Sequence, residues 1–332
     1  MIRTGRVSSN VDTLQLRKMK MMRQPIFYLL VITLFAVSLV ACSSDQITSI
    51  DTDLEEELMP ANGSKVTIIA HRGARSLAPE NTISAAKRAF ESHADGWELD
   101  VAMSVDGELV VLHDDTLERT SNAAEVFPDR SPWSVYDFTI DELKKLDVGS
   151  WFVESDPFEQ ISLGNVSSEN VDDYIGEPLP TLREALVFTK DNQWWVNIEI
   201  KDASGTAADA DIVSKVVALV EELEMQDQVL ISSFNFEYLK QVKNFNNELP
   251  TGVLVNKIIM DPIALMKELD AQAFHPGMKV TFEKQVKLLL EEGYAVNVWT
   301  VNEEPDMQKL IEMGVTGIIT DFPQRGFVLL NP

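Results

Sequence analysis

The sequence predicts an α/β fold: a (β/α)8 TIM barrel, distorted, with a loop insertion between the third and fourth strands. Two observations carry this. From residue 194 short β-branched runs alternate with amphipathic helical runs, and with the segments that begin at residue 66 the alternation covers the roughly 250 residues such a barrel uses. The first strand also leads into Ala70-His71-Arg72-Gly73 and not into the glycine-rich fingerprint of a dinucleotide fold, which weighs against a doubly wound open sheet.

Residues 66–70 form a short apolar strand, and Asn81 stands where an N-cap would, ahead of the amphipathic run 82–90. Residues 97–101 read as the second strand and 109–113 as the third, with Asp106-Gly107 between them. A helical crossover needs a dozen or more residues, so this pair is either a hairpin or a unit lacking its helix. Thr139 with Glu142, and Thr181 with Glu184, have the capping-box spacing of helix starts. The polar stretch between them has the look of an insertion or long loop. Further strands are expected at 196–200, 229–232, 253–255, 273–275, 295–299 and 317–320, with helical runs such as 208–223, 236–242, 262–269, 282–291 and 305–312. That makes nine strands for an eight-stranded barrel, so one lies outside it.

Residues 26–41 are uncharged, follow Arg17, Lys18, Lys20 and Arg23, and end at Cys42. This is the pattern of a signal peptide, too short for the roughly 20 residues of a membrane-spanning helix. Leu39-Val40-Ala41-Cys42 resembles a bacterial lipobox, which implies cleavage before Cys42 and lipidation of its thiol; an uncleaved anchor helix is the alternative. The expected organisation is a signal peptide at 1–41, an acidic tether at 42–63 and one domain at 64–332. The expected location is the extracytoplasmic or periplasmic face of a bacterial membrane. Cys42 is the single cysteine, so no intramolecular disulfide holds the domain. Residues 1–41 hold six of the 28 Lys and Arg and one of the 53 Asp and Glu, so the chain from Cys42 onward has 22 basic and 52 acidic groups, net −30. So acidic a chain argues against nucleic acid as a partner.

Residues two apart on a strand share a face, so Glu98 projects with Asp100, and Asn197 with Glu199 and Lys201, opposite apolar neighbours. In a barrel the apolar face meets the helices and the polar one looks inward. Three converging carboxylates ask for one divalent cation, and oxygen-only ligands favour Ca2+ or Mg2+. His71, Asp100, His113 and Lys201 all fall at expected C-terminal strand ends, where barrels keep their chemistry. Singly, each has an ordinary structural reading; together they point to a site. His93 reads as a surface residue and His275 as structural. Glu80-Asn81 reads as a helix start, with lining of the site as the alternative.

The segments His71-Arg72-Gly73, Ala78-Pro79-Glu80-Asn81-Thr82, Glu98-Leu99-Asp100-Val101, Val110-Val111-Leu112-His113-Asp114 and Asn197-Ile198-Glu199-Ile200-Lys201 resemble the glycerophosphodiester phosphodiesterase family. Pro180-Thr181-Leu182, Trp299-Thr300-Val301-Asn302 and Gly317-Ile318-Ile319-Thr320-Asp321 extend the likeness in order. The resemblance implies metal-dependent hydrolysis of a glycerophosphodiester to glycerol 3-phosphate and an alcohol. It places the metal on Glu98, Asp100 and Glu199, acid/base chemistry on His71 and His113, and the phosphate on Arg72 and Lys201, the latter also counted as catalytic. Trp299 and the loop at Trp151-Phe152 are candidates for packing on the glycerol. A related activity on lysolipids would want an apolar rim at the mouth, for which Phe127, Trp133 and Phe138 are candidates. A non-catalytic binding lipoprotein is a third reading, and the full set of acid/base and metal residues weighs against it.

Overall fold

The computed structural model describes residues 66–332. The strands are β1 (Thr67–Ala70), β2 (Gly96–Met103), β3 (Leu109–Val111), β4 (Val196–Ile200), β5 (Val229–Ser233), β6 (Thr251–Val255), β7 (Ala273–Pro276), β8 (Ala295–Val298) and β9 (Gly317–Thr320). Eight of them pair in parallel in the order β1-β2-β4-β5-β6-β7-β8-β9, and β9 returns to β1 through Thr67↔Gly317 to Ala70↔Thr320, which closes the barrel. The ninth is β3, which pairs antiparallel with β2 (Val101↔Val111) and stands outside the ring. The short connection around Asp106-Gly107 is therefore a hairpin.

The strand alternation places the layers. Trp97, Leu99 and Val101 of β2 pack outward with Ala86 and Ala89 of helix Ile83–Glu91 and with Leu182, Ala185 and Leu186 of helix Leu182–Asp191. The Trp97 indole donates to Thr189 Oγ1 at 2.9 Å, so the one polar atom in that contact is satisfied. Glu98 and Asp100 are left facing the barrel axis. The later half of the ring builds a second such layer around Phe274, Val296, Val298, Leu289 and Leu310.

Both capping boxes form at the positions expected. Glu142 accepts from the Thr139 N–H at 3.0 Å; Glu184 accepts from the Thr181 N–H at 2.7 Å and its own N–H donates to Thr181 Oγ1 at 3.2 Å. Asn81 is not the first cap. Thr82 Oγ1 accepts from the Ala85 N–H at 3.1 Å, and Asn81 turns into the barrel instead.

The connection from β3 to β4 is more than a loop. It carries short helices at Ala123–Val126, Ile140–Leu143, Ser150–Ser155 and Ser168–Tyr174. Leu117, Val135, Phe138, Leu143 and Leu146 form a small core of their own there, and Phe152, Val166 and Tyr174 pack on Ala78 and Ala85 beside the first helix. Gly149 lets the two halves meet: a Cβ there would lie 1.9 Å from the Tyr174 carbonyl oxygen. The proposed apolar rim is overturned, because Phe138 is fully buried in this small core and Phe127 and Trp133 pack against it. The expected signal peptide, Cys42 and the expected tether lie outside the described residues. Among the described residues no helix is long and apolar enough to cross a membrane.

Candidate active site

The parallel register of β2 and β4 sets Asp100 beside Glu199 and Glu98 beside Asn197. One oxygen from each of Glu98, Asp100 and Glu199 lies within 4.8 Å of the others, and all three residues are buried. Burial, then repulsion from Asp100 and Glu199, pushes the Glu98 carboxyl well above the usual carboxylate range. Burial and Asp100 likewise push Glu199 up. Burial also pushes on Asp100, but Arg72, Lys201, His113 and a hydrogen bond from Asn81 outweigh it and hold this carboxyl well below its ordinary value. Asp100 Oδ1 is buried without a hydrogen bond. Even with Arg72 and Lys201 beside them, two of the three carboxyls stay pushed up, and the donor set of carboxylate oxygens with one orphaned oxygen fits a hard divalent cation.

The turn after β1 delivers the next groups. The His71 N–H continues the ladder to the Thr320 carbonyl at 2.9 Å; Arg72 (φ 54°) and Gly73 (φ 79°) then turn left-handed. For Arg72 that conformation costs about 1 kcal/mol or more, and it aims the Arg72 N–H at Glu98 Oε2, 2.8 Å away. Gly73 leaves no choice of residue, since a Cβ there would sit 2.5 Å from the Ala85 carbonyl carbon. The Arg72 guanidinium reaches Glu80 Oε1 at 2.8 Å and Asp100 Oδ2 at 3.2 Å. Lys201 Nζ lies 2.8 Å from Glu199 Oε1 and 3.5 Å from Asp100 Oδ1. Both cations thus stand among the carboxylates at the edge of the cavity.

Each histidine is held by an aspartate. His71 Nδ1 is 2.6 Å from Asp321 Oδ1, and His113 Nδ1 is 2.6 Å from Asp114 Oδ1. Burial works against the Asp321 charge, but His71 and Arg75 hold that carboxyl down to about 2. The bond from His113 and the Arg119 charge hold Asp114 below its usual range. An ionised carboxylate only accepts, so each Nδ1 carries a proton and each Nε2 is left for other work. Burial and the Arg72 charge keep His71 below the ordinary imidazole value, against the pull of Asp321.

These groups line a cavity of about 220 Å³. One wall is His71, Arg72, Glu98, His113, Glu199 and Lys201; the other is apolar, from Phe234, Leu254 and Trp299. Trp299 is fixed by its indole N–H to the His275 carbonyl at 2.8 Å and by the edge of Phe234, 5.4 Å between ring centroids. The residues predicted as metal-binding, phosphate-binding and acid/base are therefore brought to one place with Trp299, Asp100 standing buried against Glu98 and Glu199 without lining the cavity, while Trp151 and Phe152 lie outside the lining, packed in the insertion beside Tyr174. His93 is exposed, and His275 is buried with Nε2 3.0 Å from Asn297 Nδ2, so both stand apart from the cluster.

Sequence reasoning gave no role to Asp321 or Asp114, and it read Glu80 with Asn81 as a helix start that could also line the site, whereas Glu80 does not line the cavity. Asp321 follows β9 directly, at the strand-end position that flagged the other candidates, and Asp114 is the neighbour of His113, so position alone held a signal. Asn81, weighed as a helix start, donates to Asp100 Oδ2 at 2.9 Å and accepts from the Asp100 N–H at 3.1 Å.

The model of the glycerophosphoryl diester phosphodiesterase family matches residues 71–325, from the first histidine of the site to beyond Asp321. The chain belongs to that family. Among curated family members it is similar to the glycerophosphodiester phosphodiesterase of Caldanaerobacter subterraneus subsp. tengcongensis, with 38% identity over 260 residues, 78% of this chain and 96% of the relative. It is also similar to the glycerophosphodiester phosphodiesterase of Bacillus subtilis, 31% identical over 299 residues, 88% of this chain and 95% of the relative. Among solved structures it resembles an Oleispira antarctica phosphodiesterase in complex with the product sn-glycerol-3-phosphate (TM-score 0.69, 28% identity, 82% of this chain and 98% of that one). Membership of this phosphodiesterase family accords with the barrel and with the polar cluster at its C-terminal mouth.

Proposed function

We propose that this glycerophosphodiester phosphodiesterase hydrolyses its substrate to sn-glycerol 3-phosphate and an alcohol by acid/base catalysis from two histidines beside a divalent cation. The observation that carries the reading is the meeting, on one cavity, of two His–Asp pairs with the Glu98, Asp100 and Glu199 triad. Support also comes from the product named in the Oleispira antarctica complex. Glu98, Asp100 and Glu199 would hold Ca2+ or Mg2+, which when bound supplies positive charge for the phosphoryl oxygens.

Arg72 and Lys201 hold the phosphate's non-bridging oxygens against the negative charge that grows as a nucleophile adds. One histidine Nε2 accepts the proton of the attacking hydroxyl, and the other, in its protonated form, delivers a proton to the leaving alkoxide. The aspartates keep both rings turned with Nε2 toward the cavity. Trp299 and Phe234 shelter the carbon skeleton of the glycerol on the apolar wall.

A product assay over glycerophosphocholine, glycerophosphoethanolamine and lysophosphatidylcholine tests this. Glycerol 3-phosphate should appear from the first two with Ca2+ or Mg2+, and the rate should fall by about 10²-fold or more in His71→Ala or His113→Ala. Turnover that survives exhaustive chelation would remove the metal from the proposal. The lysolipid arm reads a second possibility, favoured by exposed Ile258, Met260 and Phe282 on the loops after β6 and β7. Those loops adjoin the site, because the Met278 N–H donates to the Trp299 carbonyl at 2.7 Å and Gln285 Nε2 to the Ile259 carbonyl at 3.0 Å.

We also propose that the chain is exported and tethered to a bacterial membrane through lipid on Cys42, on the sequence pattern of residues 26–42. Incorporation of a labelled fatty acid, abolished by Cys42→Ser, is the expected result.

A further inference from the structure

Both oxygens of Glu80 are spent on arginines, and the chain of contacts they begin reaches both histidines. Glu80 Oε1 takes Arg72 Nη1 at 2.8 Å and Arg119 Nη2 at 2.7 Å; Oε2 takes Arg75 Nη2 at 2.7 Å and Arg119 Nη1 at 3.1 Å. Arg119 goes on through Nε to Asp114 Oδ2 at 2.6 Å, whose other oxygen holds His113. Arg75 goes on through Nη1 to Asp321 Oδ1 at 3.5 Å, the oxygen that holds His71. The insertion closes both arms from outside, with Trp151 under the Arg119 guanidinium at 6.0 Å and Phe158 under that of Arg75 at 5.3 Å.

A carboxylate with its side chain 2% exposed is expensive to bury. Here it is fully hydrogen-bonded, and burial is outweighed by Arg119, Arg72 and Arg75, so Glu80 stays ionised. None of the roles proposed for the reaction needs Glu80, and it does not line the cavity. What it does is fix three arginines, one beside the phosphate site and one behind each aspartate. One His–Asp pair joins the two ends of the barrel across 250 positions, the other joins sequence neighbours, and Glu80 is their common anchor.

We infer that Glu80 is a positioning residue that orients both histidine rings through Arg75–Asp321 and Arg119–Asp114. The inference rests on the proposed roles of His71 and His113. The two arms are separable, so each makes its own demand. Removing the Arg75 link disturbs His71 and leaves His113 in place; removing the Arg119 link does the reverse; removing Glu80 disturbs both.

The chain has four histidines, which makes their ring resonances a direct readout. Nitrogen-detected spectra of the full chain should show protected Nδ1–H signals for His71 and His113. Glu80→Gln should shift or lose both, Arg75→Gln only that of His71, and Arg119→Gln only that of His113. His275, buried beside Asn297, and the exposed His93 should hold throughout, which separates a lost anchor from a lost fold. In parallel kcat should fall about tenfold or more in each variant, a fraction of the 10²–10⁴ that acid/base groups supply. The inference is overturned if both signals survive Glu80→Gln, or if either arginine variant disturbs the two rings alike. If Glu80→Gln moves His275 as well, the two arginine variants decide. A wild-type chain that fails to release glycerol 3-phosphate would sink the proposed function, yet the spectra would still report whether Glu80 orients the rings.

Discussion

His71 Nδ1 and Asp321 Oδ1 meet at 2.6 Å across 250 positions of sequence, one just after the first strand of the barrel and the other just after the last. Closure of the ring through β1 and β9 is what makes the pair, so the chemistry of His71 depends on the fold being complete. Asn302 completes the mount, giving Nδ2–H to Asp321 Oδ2 at 2.7 Å and taking the Asp321 N–H on Oδ1 at 3.0 Å.

Asp321→Asn should therefore cost turnover rather than binding. An amide can turn its own N–H toward Nδ1, which favours the tautomer with the proton on the wrong nitrogen. The expected loss in kcat is about 10²-fold or more, with KM changed far less, since the aspartate touches the ring and not the substrate. Steady-state kinetics on glycerophosphocholine, with circular dichroism to confirm the fold, measures this. A loss carried mainly by KM would show that Asp321 acts on substrate binding.

Gly73→Ala should destabilise the protein by about 1–3 kcal/mol in urea unfolding, from the left-handed backbone together with the contact at Ala85. The same substitution moves the Arg72 N–H off Glu98, so activity should fall further than stability does. Equal thermal and kinetic tolerance of alanine would mean the turn has another way to close.

How far the sequence could be read follows from the range of each interaction. Glu98 with Asp100, and Glu199 with Lys201, were legible because a period of two on a strand is local, and apolar residues on the opposite side leave these groups one place to go. The β2–β3 hairpin stayed open between two readings, since a short connection excludes a helix without saying which way the next strand runs. The region from 112 to 180 hid its helices because none there exceeds seven residues, too few for a period of 3.6 to show. Asn81 was read as a cap one residue early, a difference only Asp100 explains. Asp321 and Asp114 got no role because a carboxylate at a strand end looks the same in sequence whether it faces solvent or a histidine, and Glu80 reads as part of a helix start. Of the partners of Glu80, Arg75 lies five positions away in the same loop and Arg119 39 positions away in the insertion, whose Phe158 and Trp151 pack on the two guanidinium groups.

His275 gives the fold a pH dependence that is separate from the site. Its ring is fully buried, and burial pushes its pKa down to about 3. The unfolded chain binds the proton with an ordinary imidazole value near 6.5. The folded state therefore loses nothing above that value, and its stability declines as pH falls from about 6.5 toward 3. Between pH 6.5 and 5 the loss is about 2 kcal/mol, at about 1.4 kcal/mol per pH unit for one proton. Urea melts at pH 7.5 and 5 should show it, and His275→Gln should flatten the slope. An unchanged slope in that variant would move the effect to another group.

The last expectation concerns the carboxylate triad as a source of instability. Glu98 and Glu199 are pushed up by burial and by their neighbours, which means that their ionised forms oppose folding unless a cation is present. Lys201 and Arg72 offset part of this, but Asp100 Oδ1 is left without a hydrogen bond. A divalent ion that binds the folded triad and not the unfolded chain stabilises by about 2.7 kcal/mol at one hundred times its dissociation constant. For a domain of this size that amounts to several degrees in the melting temperature. Thermal scans of the chelated protein, then with Ca2+ or Mg2+ added, should show the rise. Glu98→Gln removes one ligand and one of the repelling charges, so it should raise the melting temperature of the chelated protein while cancelling the response to metal. That opposite pair of changes separates a metal site from a structural ion-pair network, in which losing Glu98 would lower stability with or without the ion.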